Sequence, residues 1–185
     1  MSAPDSFDTA RLRCTRISAA DYDRMCRLES DERAQAALFG ARSPQETAER
    51  LERALAQWRD DGFGTWIAAT HDGDFAGTGL LFRSLVEGET GIELGYAFLP
   101  DFWGRGFAVE MSRALLEIAF VALDLPYVLA VTARDHVRSR RVMEKLGMTF
   151  RRELQHRGVD CVVYAIERSA WQPAPVSPCI SERPF

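Results

Sequence analysis

A mixed α/β domain is the architecture this sequence predicts, and three observations predict it. A strand-like run from Gly91 to Phe98, a long apolar helix opening after Gly106 and a second run from Tyr127 to Ala133 make a βαβ unit, so these two strands are expected to be parallel. Two earlier runs, Thr65 to Thr70 and Phe75 to Phe82, are joined by His71-Asp72-Gly73-Asp74, where Asp-Gly favours a tight antiparallel hairpin. The 185 residues, 46% hydrophobic and 27% charged, suffice for one domain with a substantial core.

In chain order, Arg11 to Ile17 reads as the first strand. Ser18, with Asp21 three residues on, resembles a capping box and opens a helix through Tyr22, Met25 and Cys26. Ser43-Pro44-Gln45-Glu46 unites a cap, a first-turn proline and a capping acid. The helix it opens carries Ala48, Leu51, Leu55 and Trp58 on one face and ends at Asp60-Asp61-Gly62. After the hairpin, a polar loop from Ser84 to Thr90 leads into the strand that closes at Leu99-Pro100.

The helix after Gly106 turns Ala108, Met111, Leu115, Ile118, Ala119 and Ala122 inward and Glu110, Arg113 and Glu117 outward, until Asp124-Leu125-Pro126 stops it. A shorter helix, Val137 to Leu146, ends at Gly147. Two further strands, about Met148 to Leu154 and Asp160 to Glu167, flank His156-Arg157-Gly158. Beyond Trp171, Pro173, Pro175 and Pro178 interrupt any period, which reads as a tail.

A net charge of −4 and a pI near 5.5 give no global attraction to nucleic acid or acidic membranes. Cys14, Cys26, Cys161 and Cys179 contain no Cys-x-x-Cys pair, so they form neither a zinc signature nor a disulfide framework. Reduced cysteines in a cytoplasmic protein without a metal are the expectation, with Cys14, Cys26 and Cys161 as apolar core residues. Met-Ser-Ala-Pro-Asp lacks a basic region followed by an apolar run, and no run approaches a bilayer span, so neither export nor membrane insertion is expected.

Trp103-Gly104-Arg105-Gly106-Phe107-Ala108 sits where strand gives way to helix. Glycines there can aim backbone N–H groups at one point ahead of a helix, where unpaired donors and the helix dipole favour a phosphate. The same glycines also serve plain turns. A dinucleotide-binding reading is poorer, because Val109 stands at the third-glycine place. In the preceding strand, Ile92, Leu94, Tyr96 and Phe98 share one apolar face, whereas Glu93 lies with Gly95 and Ala97 on the other. Small neighbours leave room beside that carboxylate, which suits either a base or a salt-bridged surface glutamate.

The segments Glu93-Leu94-Gly95-Tyr96, Asp101-Phe102-Trp103-Gly104-Arg105-Gly106-Phe107-Ala108 and Ser139-Arg140-Arg141-Val142-Met143-Glu144-Lys145-Leu146-Gly147, in that order, resemble the GNAT superfamily of acetyl-CoA-dependent N-acetyltransferases. Their branch is similar to the ribosomal-protein alanine N-acetyltransferases, in which a tryptophan at the Trp103 position is familiar. The resemblance runs from about Thr9 to Trp171, leaving residues 1–8 as an N-terminal extension and 172–185 as a tail. It implies a mostly antiparallel twisted sheet, one parallel pair splayed around CoA, and about four flanking helices.

The resemblance further implies that Trp103, Gly104, Arg105, Gly106, Phe107 and Ala108 cradle the CoA pyrophosphate. Backbone N–H groups near Tyr96, Ala97 and Phe98 then polarise the thioester carbonyl. Glu93 becomes the base, directly or through water. Met143 stands where many relatives carry a general-acid tyrosine, and Ser139, inward on its helix with Val142, Met143 and Leu146, is the substitute donor to sulfur, or a packing residue. His136 replaces a common asparagine, with Asp135 as a substitute helix cap, while Arg138 and Arg141 are candidates for the 3′-phosphate or for a solvated face. Trp58 and Tyr164 fit core aromatics better than acceptor contacts.

The implied reaction moves acetyl directly to a primary amine, which must be neutral to attack. At pH 7 a lysine-like amine of pKa about 10.4 costs roughly 4.6 kcal/mol to deprotonate, an α-amine near 7.8 only about 1 kcal/mol. That favours a protein or peptide N-terminus. Small-molecule amines such as polyamines or antibiotics, a noncatalytic acyl-CoA sensor, and a monomer or homodimer stay open.

Overall fold

The computed structural model describes residues 2–36, 40–86, 89–156 and 158–173. Its strands are β1 (Ser6–Asp8), β2 (Leu12–Arg16), β3 (Thr65–Thr70), β4 (Phe75–Val86), β5 (Glu89–Phe98), β6 (Tyr127–Ala133), β7 (Thr149–His156) and β8 (Val159–Glu167). The helices are α1 (Tyr22–Glu29), α2 (Glu32–Gln35), α3 (Pro44–Asp61), α4 (Phe107–Glu117) and α5 (Val137–Lys145). Local chemistry explains most boundaries. The Ser43 side chain accepts from Glu46 N–H and the Glu46 carboxylate accepts from Ser43 N–H, closing the capping box that starts α3. Gly73, with φ of 96°, turns β3 into β4.

One sheet holds all eight strands in the order β1-β2-β3-β4-β5-β6-β8-β7. Every pairing is antiparallel except β5 with β6, the pair joined by the crossover through α4. The main core packs α1, α3, α4 and α5 against the sheet around Trp58, Trp66, Phe98, Met111, Phe120 and Met143. A smaller cluster, Leu129, Leu154, Cys161, Val163 and Ala165, gathers along β6, β7 and β8. The face of β5 read from alternation is buried as expected at Ile92, Leu94 and Phe98.

Several elements differ from the sequence reading. Residues 1–8, expected to precede the domain, supply β1, which pairs with β2, and Ala3, which is buried in the core. The polar stretch Ser84–Thr90, expected to be a loop, continues β4 to Val86 and begins β5 at Glu89, with Glu87 and Gly88 outside the described residues. The long helix is not uniform: after Glu117 it widens into a π-turn over Ile118–Ala122, and Leu123 N–H closes on the Ile118 carbonyl. α3 buries Thr47 and Ala54 with Leu51 and Trp58, leaving Ala48 and Leu55 at the margin. Trp171 packs against Phe120, with ring centroids 5.4 Å apart. Arg157, Cys179 and the tail from residue 174 lie outside the described residues.

Candidate active site

β4 and β5 pair at ten positions, from Gly77 opposite Phe98 to Val86 opposite Glu89. The parallel ladder between β5 and β6, by contrast, is registered among the described residues only at Glu93 opposite Leu129. Toward the C-terminal ends of the two strands no further ladder pairing is registered among the described residues, which leaves that edge of β5 unpaired. At the far end of β5 the Phe98 carbonyl accepts a hydrogen bond of 2.7 Å from the Trp103 indole N–H. Trp103, which replaces the polar residue common in the resembled family, thus ties the glycine turn to the open end of β5.

The turn ahead of α4 is built as a nest. Gly104 (φ 72°) and Gly106 (φ 84°) both take left-handed conformations that side chains disfavour. The first bond of the helix runs from Glu110 N–H to the Gly106 carbonyl, and the amides from Gly104 to Ala108 have no acceptor among the described residues; the Trp103 N–H, expected in the cradle, is instead spent on the Pro100 carbonyl. Phe107 is buried beneath them, stacked on Phe98 and edge-on to Phe102. Its contribution to the nest is therefore its backbone, while its ring anchors the turn in the core.

A brace that sequence reading missed holds this turn from outside. Arg11 donates from Nη1 to the Arg105 carbonyl at 2.7 Å and from Nε to Glu110 at 2.7 Å, with its guanidinium 4.5 Å from the Phe107 ring centroid. Thr9 Oγ1 and Arg11 N–H also donate to Glu110. Burial pushes the Glu110 carboxyl up, but the bonds from Thr9 and Arg11 outweigh it and hold the group below its usual value. Glu110, read from sequence as a solvated helix residue, is in fact a charge neutralised by Arg11 at the mouth of the nest. Arg11→Ala is expected to weaken CoA binding by about tenfold or more, the loss of roughly one charge-assisted bond, with the change read by calorimetry. An unchanged Kd would show that the turn keeps its shape unaided.

Besides Arg11 and Arg105, a third cation sits at the turn: Arg138 on α5 lies over Trp103, 4.8 Å from the ring centroid. Arg141, named with it as a 3′-phosphate contact, is exposed farther along α5. His136 occupies the N-cap of α5 without a side-chain capping bond, and Asp135 does not cap by its side chain either. Burial first, and then Arg138, lowers the His136 pKa.

Glu93 stands where β5 and β6 part, half-buried, and its pKa is pushed up to about 7. Burial is the cause, only partly offset by hydrogen bonds from the Ser84 side chain and the Val131 backbone. A partly buried carboxyl poised near neutrality is suited to proton abstraction. On the opposite face, Tyr96 Oη and Ser139 Oγ lie 3.1 Å apart, joining β5 to α5. Ser139 is buried, as its helix position predicted, beside the buried Met143. Trp58 and Tyr164 are both buried, Trp58 donating to the Thr65 carbonyl and Tyr164 accepting from Arg140, so they are core aromatics. Cys14 and Cys161 are buried and Cys26 is half-buried. Among the described residues no His, Cys, Asp and Glu group is placed to hold a metal, and no helix is long and apolar enough to cross a membrane.

Sequence and fold comparisons agree with this geometry. The profile of the acetyltransferase (GNAT) domain matches residues 11–149. YkkB of Bacillus subtilis (strain 168) is 30% identical over 121 residues, covering 62% of this chain and 70% of that protein. The crystal structure of an acetyltransferase from Agrobacterium tumefaciens str. C58 superposes with a TM-score of 0.77 at 25% identity, covering 90% of this chain and 96% of that one. RimL, a ribosomal L7/L12 alpha-N-protein acetyltransferase solved with coenzyme A, shares the fold with a TM-score of 0.71 at 14% identity, over 89% of this chain and 97% of its own. With the splayed parallel pair and the nest ahead of α4, these matches establish that the chain belongs to the GNAT family of acetyltransferases.

Proposed function

We propose that this chain transfers acetyl from acetyl-CoA to the α-amine of a protein or peptide N-terminus by direct attack of the amine on the thioester. The observation that carries the reading is the position and ionisation of Glu93, at the head of the strand parting with a pKa near 7. Moving a proton from an α-ammonium near 7.8 to such a carboxylate is uphill by about 1 kcal/mol, whereas a lysine-like ammonium near 10.4 costs roughly 4.6 kcal/mol. The base is matched to the first acceptor and not to the second.

CoA supplies the activated acetyl group, and this chain's residues fit it. Amides from Gly104 to Ala108 are the donors for the pyrophosphate, the free edge of β5 from Tyr96 to Phe98 takes pantetheine, and Arg105 in the turn and Arg138 beside it are the cations for a phosphate. His136 and Arg141 lie on the same side at α5. RimL, described as a ribosomal L7/L12 alpha-N-protein acetyltransferase, shares this fold, which is consistent with that acceptor class. Three free cysteines among the described residues fit a reducing cytoplasmic setting.

A second reading, an acyl-CoA sensor that does not turn over, is favoured by one observation: Met143, buried where many relatives place a tyrosine, offers no hydroxyl. Free-thiol release measured with α-amino peptides, Nα-blocked lysine peptides, polyamines and aminoglycosides separates the readings. The α-amino peptides are expected to show the highest kcat/KM, with product mass spectra placing acetyl on the terminal nitrogen. Tight CoA binding with no thiol release from any amine would establish the sensor, and a polyamine or aminoglycoside as best substrate would move the acceptor to small molecules.

A further inference from the structure

Tyr96 and Ser139 meet beside the stretch of β5 that has no registered partner on β6, one on β5 and the other on the helix that follows β6. Ser139 is only 8% exposed, and Tyr96 is partly buried against the main core. Each hydroxyl carries one proton, so the pair holds two donors. Their 3.1 Å contact uses one of them. No other hydrogen bond to either hydroxyl is present among the described residues, and buried donors are rarely left without work. The unspent proton therefore has a direction set by the bond between the two oxygens and by the opening they flank.

We infer that Tyr96 is a positioning residue: its phenol donates to Ser139 Oγ and thereby turns the Ser139 proton toward the thioester sulfur in the parting of the strands. This deepens the transfer reading given above and rests on it. Either oxygen can donate across the 3.1 Å contact, and because a phenol is the stronger donor of the two we assign the order Tyr96 to Ser139 to sulfur. Chains of hydrogen bonds reinforce one another, so the Ser139 O–H is a better donor with Tyr96 behind it than alone. No proton needs to leave either oxygen. Burial raises the Tyr96 phenol to about 12, far above a thiol near 8.5, so the departing sulfur is stabilised by a hydrogen bond as charge develops on it. The acceptor's proton leaves through Glu93 on the opposite face of β5. Base and donor thus approach one slit from its two sides, as strand alternation between Glu93 and Tyr96 requires.

Tyr96→Phe keeps the ring and removes only the hydroxyl. It is expected to lower kcat about tenfold, with KM for acetyl-CoA changed less than about twofold, since the interaction strengthens only as charge develops on sulfur. Ser139→Ala makes the same test from the helix side and is expected to lose as much or more. In the double variant, Tyr96→Phe should add nothing to Ser139→Ala, because the phenol acts only through the serine. Thermal melting of each variant separates a structural tie from this role: a tie lowers Tm and leaves kcat intact. Wild-type kcat in Tyr96→Phe, or an equal loss in the Ser139→Ala background, would overturn the role while leaving the transfer reading in place. A wild-type chain that turns over no amine would overturn both.

Discussion

Glu93→Gln is expected to lower kcat/KM for an α-amino peptide at pH 8 by about 100-fold or more, the usual weight of a positioned general base. The pH profile carries the sharper signature. With its carboxyl raised to about 7, the wild-type enzyme gains its base as pH rises through 7 and loses it below, so the rate falls on the acidic side with an apparent pKa near 7. The glutamine variant lacks that limb and keeps only the ionisation of the amine itself. Repeating the profile with an amine of different pKa moves the amine limb and leaves the Glu93 limb in place. A Glu93→Gln variant with the wild-type curve would remove Glu93 from the chemistry.

The same substitution is expected to stabilise the fold, which distinguishes a functional carboxylate from a structural one. The group titrates at about 7 in the folded chain against an ordinary value of 4.5. Because the folded value is raised, the fold favours the protonated form. That advantage is fully present below pH 4.5, declines between 4.5 and 7, and above 7 leaves the wild type carrying a penalty of about 3 kcal/mol relative to an unperturbed glutamate. Glutamine keeps the shape and never ionises. Its Tm should exceed the wild type's at pH 8 and converge with it near pH 4. Reduced activity with raised stability is the pattern expected of a residue held in its place for chemistry.

Local signals carried much of this architecture into the sequence, and long-range ones did not. Ser43-Pro44-Gln45-Glu46 and Asp72-Gly73 act over a single turn, so they announce α3 and the β3–β4 hairpin directly. The alternation from Ile92 to Phe98 separates the core face from the face of Glu93 because a strand's period is fixed by its backbone. The βαβ order predicts the parallel pair, but nothing local states that its ladder is registered at one position only. Arg11 reaches Glu110 across 99 positions, and Tyr96 meets Ser139 across 43; neither separation leaves a mark in local pattern. Ser84 illustrates the converse error. A hydroxyl in a polar run resembles loop, yet it lies on β4 and bonds to the Glu93 carboxyl. Its contribution is to favour the ionised form of a carboxyl that burial otherwise drives toward neutrality.

Gly106→Val is expected to weaken CoA binding about 100-fold, the loss of two charge-assisted amide bonds of about 1.5 kcal/mol each. Gly106 has φ of 84° and ψ of 0°, a left-handed conformation that costs an ordinary residue about 1–2 kcal/mol and a β-branched one more. A Cβ there would stand in ordinary contact, 3.4 Å, with Arg11 Nη2, so the cost lies in the backbone and not in crowding. The chain relieves it by rotating to negative φ, and that rotation turns the amides flanking the residue away from their common point. Gly62 supplies the control. It takes a similar conformation, φ 72° and ψ 14°, at the C-cap of α3, remote from the nest. Gly62→Val should lower Tm by a similar amount and change CoA affinity less than about twofold, since it strains the backbone without turning a ligand-facing amide. Wild-type CoA affinity in Gly106→Val would show that the turn does not hold the phosphates. Dephospho-CoA then locates the contact: an equal loss for both ligands assigns the nest to the pyrophosphate, whereas a loss confined to CoA assigns it to the 3′-phosphate and leaves Arg138 with no phosphate of its own to hold.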